Sequence, residues 1–248
     1  MDVGEQLKRH SRRKKRRGIV FLLLAVLSAA VILSYMLTYI PVCRISGNHY
    51  LPDELIEEQL FGRPSEQRFY HAVIRDRLGR NPKIEGIKSY TISFLSDHSV
   101  SVDVSENEPV AAVLLDGQYY LFDSTGFILC AEKEKTVDAP LVRGLSVSDV
   151  RVYGRLEPDR PDREAVMKLL SLLAANRIRA DEISYAADGT VTLACGSLQI
   201  LLGGSRQLED KVADLADILN SGKLSDLSGI LHLEEFDESS AYIFEQTG

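Results

Sequence analysis

Glu106-Asn107-Glu108-Pro109-Val110-Ala111, followed by Asp116-Gly117-Gln118-Tyr119-Tyr120-Leu121-Phe122-Asp123-Ser124-Thr125-Gly126-Phe127-Ile128-Leu129, is the stretch on which the fold turns. Asp116-Gly117 fits a tight hairpin turn and Gly126 can take the positive φ of a second one. Pro109 has no N–H to give to a strand ladder, so it breaks the ladder at a domain edge. One domain is therefore expected to end near residue 110, and another to open there with a β-hairpin.

Before this stretch the sequence alternates with a period of two. Tyr90, Ile92 and Phe94 alternate with polar residues, and so do Val100, Val102 and Val104 after Ser96-Asp97-His98-Ser99, which predicts a hairpin with one wet face. Further back the period becomes helical. Pro52 suits a first helical position, Asp53 and Glu54 favour the positive end of a helix dipole, and Leu55, Ile56 and Leu60 form an apolar stripe before Gly62. A second helix is expected from about Ser65, with Phe69, Val73 and Leu78 on one face and Gly79 at its end. A short strand, Val42 to Ser46, precedes both and ends at the turn signal Gly47-Asn48.

The N-terminus has another character. Residues 1–17 hold eight Lys or Arg and two Asp or Glu, and then run into the uncharged stretch Gly18 to Ile40. As one helix that stretch would be about 35 Å long, enough to cross a ~30 Å hydrocarbon core with some tilt. A transmembrane helix over 18–40 is expected, with the basic tail of 1–17 cytoplasmic and residues 41–248 outside. A cleaved signal peptide could end at Ser28-Ala29-Ala30, but the apolar run continues through Val31 to Ile40, where a cleaved signal normally turns polar. A lipoprotein signal is disfavoured because Cys43 follows Val42, not a small residue.

With 45% hydrophobic and 26% charged residues, the chain has the composition of a folded globular protein. Taking the tail's eight basic and two acidic residues from totals of 29 and 36 leaves 21 and 34, a net of −13. A nucleic-acid partner is not expected at that charge. Cys43, Cys130 and Cys195 are too few and too scattered for a disulfide framework or a zinc site. Free thiols are expected, with a Cys130–Cys195 bridge as the alternative in an oxidising exterior.

The order strand, helix, helix, strand, strand directly after a membrane anchor is the layout of a POTRA domain. Together with Glu106-x-x-Pro109 and the Tyr120-Leu121-x-Asp123-x-x-Gly126-x-hydrophobic run, it makes the chain resemble the FtsQ/DivIB family of bacterial cell-division proteins. The match continues through Ala139-Pro140-Leu141-Val142-Arg143-Gly144-Leu145 and a helix over about Asp162 to Asn176. Strands follow near Glu182 to Ala186, Val191 to Ala194 and Leu198 to Leu202. A last helix from about Ser205 to Leu219 has the stripe Leu208, Val212, Leu215 and Leu219, and a closing hairpin spans Gly229 to Phe236 and Ala241 to Phe244. The expected fold class is α+β: a single N-terminal transmembrane helix, a βααββ POTRA domain over 41–110, and a mixed β-sheet domain with two helices over 111–248.

No catalytic, cofactor or metal site is assigned. None of His49, His71, His98 and His232 sits in a metal-ligand spacing, and no Gly-x-Ser-x-Gly, Ser-x-x-Lys or phosphate-cradling loop is present. Gly203-Gly204-Ser205-Arg206 could rest an anion on free N–H groups, but reads better as a strand-to-helix turn capped by Ser205. The sharper candidate is the closing hairpin, which has no later strand to pair with it. An open edge invites a strand from another chain. On residues alone that reading stands level with one in which Tyr242, Ile243 and Phe244 fill the core and the surrounding acids blunt the edge.

The family resemblance implies strand pairing with a DivIC/FtsB-like protein, itself coiled to an FtsL-like one. Leu231, Leu233, Glu235, Tyr242, Ile243 and Phe244 are the candidate partner-binding residues. Acids stand here where the family often has a base. The expectation is a non-enzymatic divisome scaffold in the cell membrane, enriched at the septum, that helps organise septal peptidoglycan synthases. A POTRA-bearing secretion or assembly factor and an anchored cell-wall enzyme are the alternatives.

Overall fold

A computed structural model describes residues 19–35, 38–145, 147, 150–156, 163–224, 227–234 and 243–246. The chain packs as two compact units, one from residues 1–48, 52–84 and 89–105, the other from 49–51, 85–88 and 106–248.

The first unit begins with helix α1 over residues 19–35, whose apolar side chains from Ile19 to Leu33 are exposed. Pro41 disfavours helix at the residue before it, and the chain has already left the helix at Thr38. The Thr38 carbonyl accepts from Phe69 N–H at 3.2 Å, Ile40 N–H donates to Gln67 O at 2.9 Å, and Tyr39 bridges Arg68. The expected helix over 18–40 is therefore corrected at its C-terminal bound, with 38–40 outside it. Its last residues serve the first unit as extended chain, and among the described residues no helix is long and apolar enough to cross a membrane.

Strand β1 (Cys43–Ser46), helices α2 (Asp53–Phe61) and α3 (Phe69–Arg77), and strands β2 (Ile87–Phe94) and β3 (Val100–Glu106) follow in the expected order. They form a three-stranded sheet, β1-β3-β2, with β1 parallel to β3 and Cys43 opposite Val100. The period of two is realised in β3, where Val100, Val102 and Val104 are buried and Asp103 and Ser105 are exposed. Pro52 caps α2, which buries Ile56, Leu60 and Phe61. Helix α3 starts four residues later than expected, because residues 67–69 are bonded to 38–40. Its inward residues are Phe69, Ala72 and Arg75, whereas Leu78 lies outside. Buried Arg75 is held on three sides, donating to Leu60 O (3.0 Å) and Asn81 Oδ1 (3.2 Å) and pairing with Glu66 (3.1 Å).

The second unit is built on β4 (Ala111–Leu115), β5 (Gln118–Phe122), β6 (Ile128–Glu132), β7 (Leu141–Arg143), β8 (Glu182–Tyr185), β9 (Val191–Cys195), β10 (Leu198–Gly203), β11 (Gly229–His232) and β12 (Ile243–Gln246), with helices α4 (Arg163–Ala175) and α5 (Leu208–Asn220). The sheet runs β12-β11-β10-β9-β8-β7-β4-β5-β6. Pairs β4–β7, β7–β8 and β10–β11 are parallel and the rest antiparallel. The Asp116-Gly117 turn between β4 and β5 has φ values of 49° and 76°, positive at both central residues as a tight hairpin requires.

Leu169 and Leu173 of α4 and Val212 and Leu215 of α5 meet Ile183, Leu193, Ile200 and Leu231 of the strands in one core. Ser205 does not cap α5. The helix starts at Leu208 behind Gln207 (φ 51°), with no side-chain cap. The three cysteines are free and half-buried, so the Cys130–Cys195 bridge is not formed. Burial raises the pKa of each to about 11 and keeps the thiols protonated.

Two carboxylates of the stretch Glu106–Leu129 each gather several donors. Fully buried Asp123 accepts through Oδ1 from Thr125 N–H (2.8 Å), Thr125 Oγ1–H (2.7 Å) and Phe127 N–H (2.9 Å), and through Oδ2 from Asn107 Nδ2–H (2.6 Å). Glu106 accepts the N–H groups of His49, Tyr50 and Leu51, each at 2.8 Å.

Candidate partner-binding edge

The end of the nine-stranded sheet is set by α5, which carries the chain from β10 back to start β11 parallel to it. β11 then pairs with β12, Leu231 opposite Phe244 and His232 opposite Ile243, and the strand order ends there. Among the described residues β12 has a neighbour on one side only. Because side chains alternate across a strand, β12 is divided: Phe244 packs against the core cluster, while Ile243 is 62% exposed. Of the hairpin's last strand, Phe244 thus faces the core and Ile243 faces outward.

The candidate residues separate by role. Leu231 and Leu233 are 1% and 2% exposed, so each contributes about 1.5–3 kcal/mol of burial to the fold and presents no side chain at the surface. Ile243 and Phe244 lie on the edge strand itself. Glu235 and Tyr242 are outside the described residues, as are the expected strand ends at Phe236 and Ala241. Gly229 has to be glycine, since a Cβ there would meet Glu245 O at 2.3 Å and the Phe244 ring at 2.6 Å. That close approach seats Phe244 across the start of β11.

Two titratable groups fix the edge: Lys211, which sequence reasoning missed, and His232, which it named only as lacking a metal-ligand spacing. Buried Lys211 of α5 donates from Nζ to Leu202 O (2.7 Å) and Glu234 O (3.3 Å), tying the helix to the end of β10 and to the exit from β11. Burial lowers its pKa, partly offset by the Glu234 charge. A signal existed, because 211 falls on the Leu208, Val212, Leu215 face of the helix. The second is His232, whose Nδ1 lies 2.8 Å from Glu234 Oε1 and whose Nε2 lies 3.7 Å from Glu245 Oε1 on β12. Its pKa is raised, first by the hydrogen bond to Glu234 and then by the charges of Glu234 and Glu245. For Glu234, burial opposes ionisation, but the bond from His232 and backbone N–H groups outweigh it and lower the pKa.

A pH dependence follows. The folded pKa of His232 lies above the unfolded value of about 6.5, so its stabilisation is complete below that value and is lost as pH rises through the folded pKa. Hydrogen-exchange protection of the β12 amides, corrected for intrinsic rates, is expected to fall over that window. In His232→Gln the fall should vanish; an unchanged profile would show that the imidazole does not hold the edge.

By fold this is an α+β protein with five helices among its described residues and a large mixed sheet ending in a one-sided strand. Among solved structures it is similar to the major extracytoplasmic domain, in its trans isomer, of the bacterial cell division protein DivIB from Geobacillus stearothermophilus. The identity is 20% and the TM-score 0.30, with 47% of this chain and 97% of that chain covered. No protein-family model matches the chain, and no curated protein matches it.

Proposed function

We propose that this chain is a non-enzymatic scaffold of the bacterial division site, held in the cell membrane by its N-terminal segment with the N-terminus cytoplasmic and the folded units outside. Residues 41–110 serve as the POTRA module beside the membrane. Strand β12 receives a strand from a small single-pass division protein of the DivIC/FtsB kind, which brings an FtsL-like protein with it. Gathering these partners at the septum helps to organise septal peptidoglycan synthesis.

The observation that carries this reading is that β12 is paired on one side only among the described residues, with Ile243 exposed on it. A sheet edge of this kind gives affinity through backbone hydrogen bonds and selectivity through alternate side chains. The motifs of residues 106–129 support the assignment to the division site by sequence resemblance. The acids Glu234 and Glu245 beside the edge suit a partner strand that carries a base.

Tagged full-length chain, solubilised from its native membrane, is expected to bring down small single-pass coiled-coil proteins. Ile243→Pro, which removes an N–H from the edge strand, and Ile243→Lys, which leaves the backbone intact but places a charge on the edge, should both lose them while keeping native circular dichroism. Retention by both folded variants would sink the edge-strand mechanism. Failure of the unaltered chain to capture such proteins would sink the division-site reading.

A further inference from the structure

Helix α3 has a second apolar face. Its inward residues are packed and Arg75 is bonded on three sides, yet Tyr70, Ile74 and Leu78 are 39%, 53% and 59% exposed at spacings of i, i+4 and i+8. Arg77 joins them at i+7 and is exposed, and Arg80 follows just beyond the helix, also exposed. The one acid of the helix, Asp76, accepts from Asn81 Nδ2 at 2.6 Å. The face is therefore an apolar stripe rimmed by positive charge, which is the composition of helices that lie in a lipid headgroup layer.

Its position in the first unit identifies the occupant. The exposed apolar helix α1 is described to residue 35, and by residues 38–40 the chain is bonded to the start of α3 through Thr38, Tyr39 and Ile40. Tyr39 is itself exposed, with the Arg68 guanidinium 5.4 Å from its ring centre. A nine-residue helix is only about 13 Å long, so the whole stripe stays close to that junction. We infer that the outer face of α3 rests on the bilayer surface, Tyr70, Ile74 and Leu78 entering the acyl boundary and Arg77 and Arg80 meeting anionic headgroups. This deepens the proposed membrane attachment and rests on it.

The chain contains no tryptophan, so a single introduced indole reports on one place. Full-length Leu24→Trp, Ile74→Trp and Ile243→Trp would each be reconstituted into vesicles of phosphatidylcholine and phosphatidylglycerol, with and without brominated phosphatidylcholine. Bromolipid is expected to quench Leu24→Trp and Ile74→Trp but not Ile243→Trp. Each basic residue near an anionic surface contributes about fivefold in affinity. Adding Arg77→Glu and Arg80→Glu to Ile74→Trp should therefore abolish most of its quenching, while the same pair leaves Leu24→Trp unchanged. Quenching at 24 without quenching at 74, with Tyr70→Trp as a second reporter, would overturn the surface contact and leave the anchor standing. No quenching at either position would overturn the anchor, and this inference with it.

Discussion

Asp123→Ala is expected to lower the stability of the second unit by about 4 kcal/mol, the range reached when a buried hydrogen-bond network loses its acceptor. Four donors converge on this fully buried carboxylate. Removing it leaves the N–H groups of Thr125 and Phe127 and the Asn107 amide without their acceptor. The bend between β5 and β6 is shaped by those bonds, so the lost interactions and the lost turn geometry act together. Asp123→Asn keeps the volume but turns an NH2 toward donors, and should cost roughly half as much. Urea unfolding followed by circular dichroism measures both; a midpoint unchanged in Asp123→Ala would refute the account.

Glu106→Ala should be the next most damaging change, at about 3 kcal/mol. Its carboxylate accepts three successive backbone N–H groups at 2.8 Å each, and bonds to a charged acceptor are worth about 1.5–3 kcal/mol apiece before relaxation and solvent recover part of the loss. Glu106→Gln keeps one acceptor oxygen but loses the charge, and should fall between. The specific readout is hydrogen exchange at residues 49–51. Those amides should lose protection in Glu106→Ala by more than the global loss of stability allows, and equal losses throughout would show that the carboxylate acts elsewhere.

Both residues belong to the stretch Glu106–Leu129, and their own roles in it are structural. Pattern alone located the hairpin of β2 and β3, the β4–β5 turn, the stripe of α5 and a last strand at one end of the sheet. These are local features, written in spacings of two or about four and in turn residues. What was not legible depends on residues far apart in the chain. The extended course of 38–40 is set by bonding to 67–69, which no local window contains. The start of α5 at Leu208 defeats a serine that would make a reasonable cap.

The division of β12 into an inward Phe244 and an outward Ile243 required the register with β11. A run of Tyr-Ile-Phe does not reveal which face its middle residue takes. The charges at the edge were hidden for another reason. Lys211 sits among apolar residues in a helix, and only the carbonyls of Leu202 and Glu234 explain it. His232 was visible, but its carboxylate partners come from its own strand exit and from β12, a pairing that needs three dimensions.

The strand order has a consequence for how the chain acquires its shape. Read from either end, every neighbouring pair in the large sheet except β7–β4 is also consecutive in sequence. Most of the sheet can therefore assemble like two zippers, each new strand finding a partner just made, and loop-closure entropy is modest at every step. The exception is a seam only two residue pairs long, Ala112 with Leu141 and Val113 with Val142. Until it closes, β4–β6 and β7–β12 are separate halves with bare inner edges, and two molecules meeting at that moment could exchange halves instead of each completing its own sheet. The point of greatest kinetic vulnerability thus lies in the middle of the sheet.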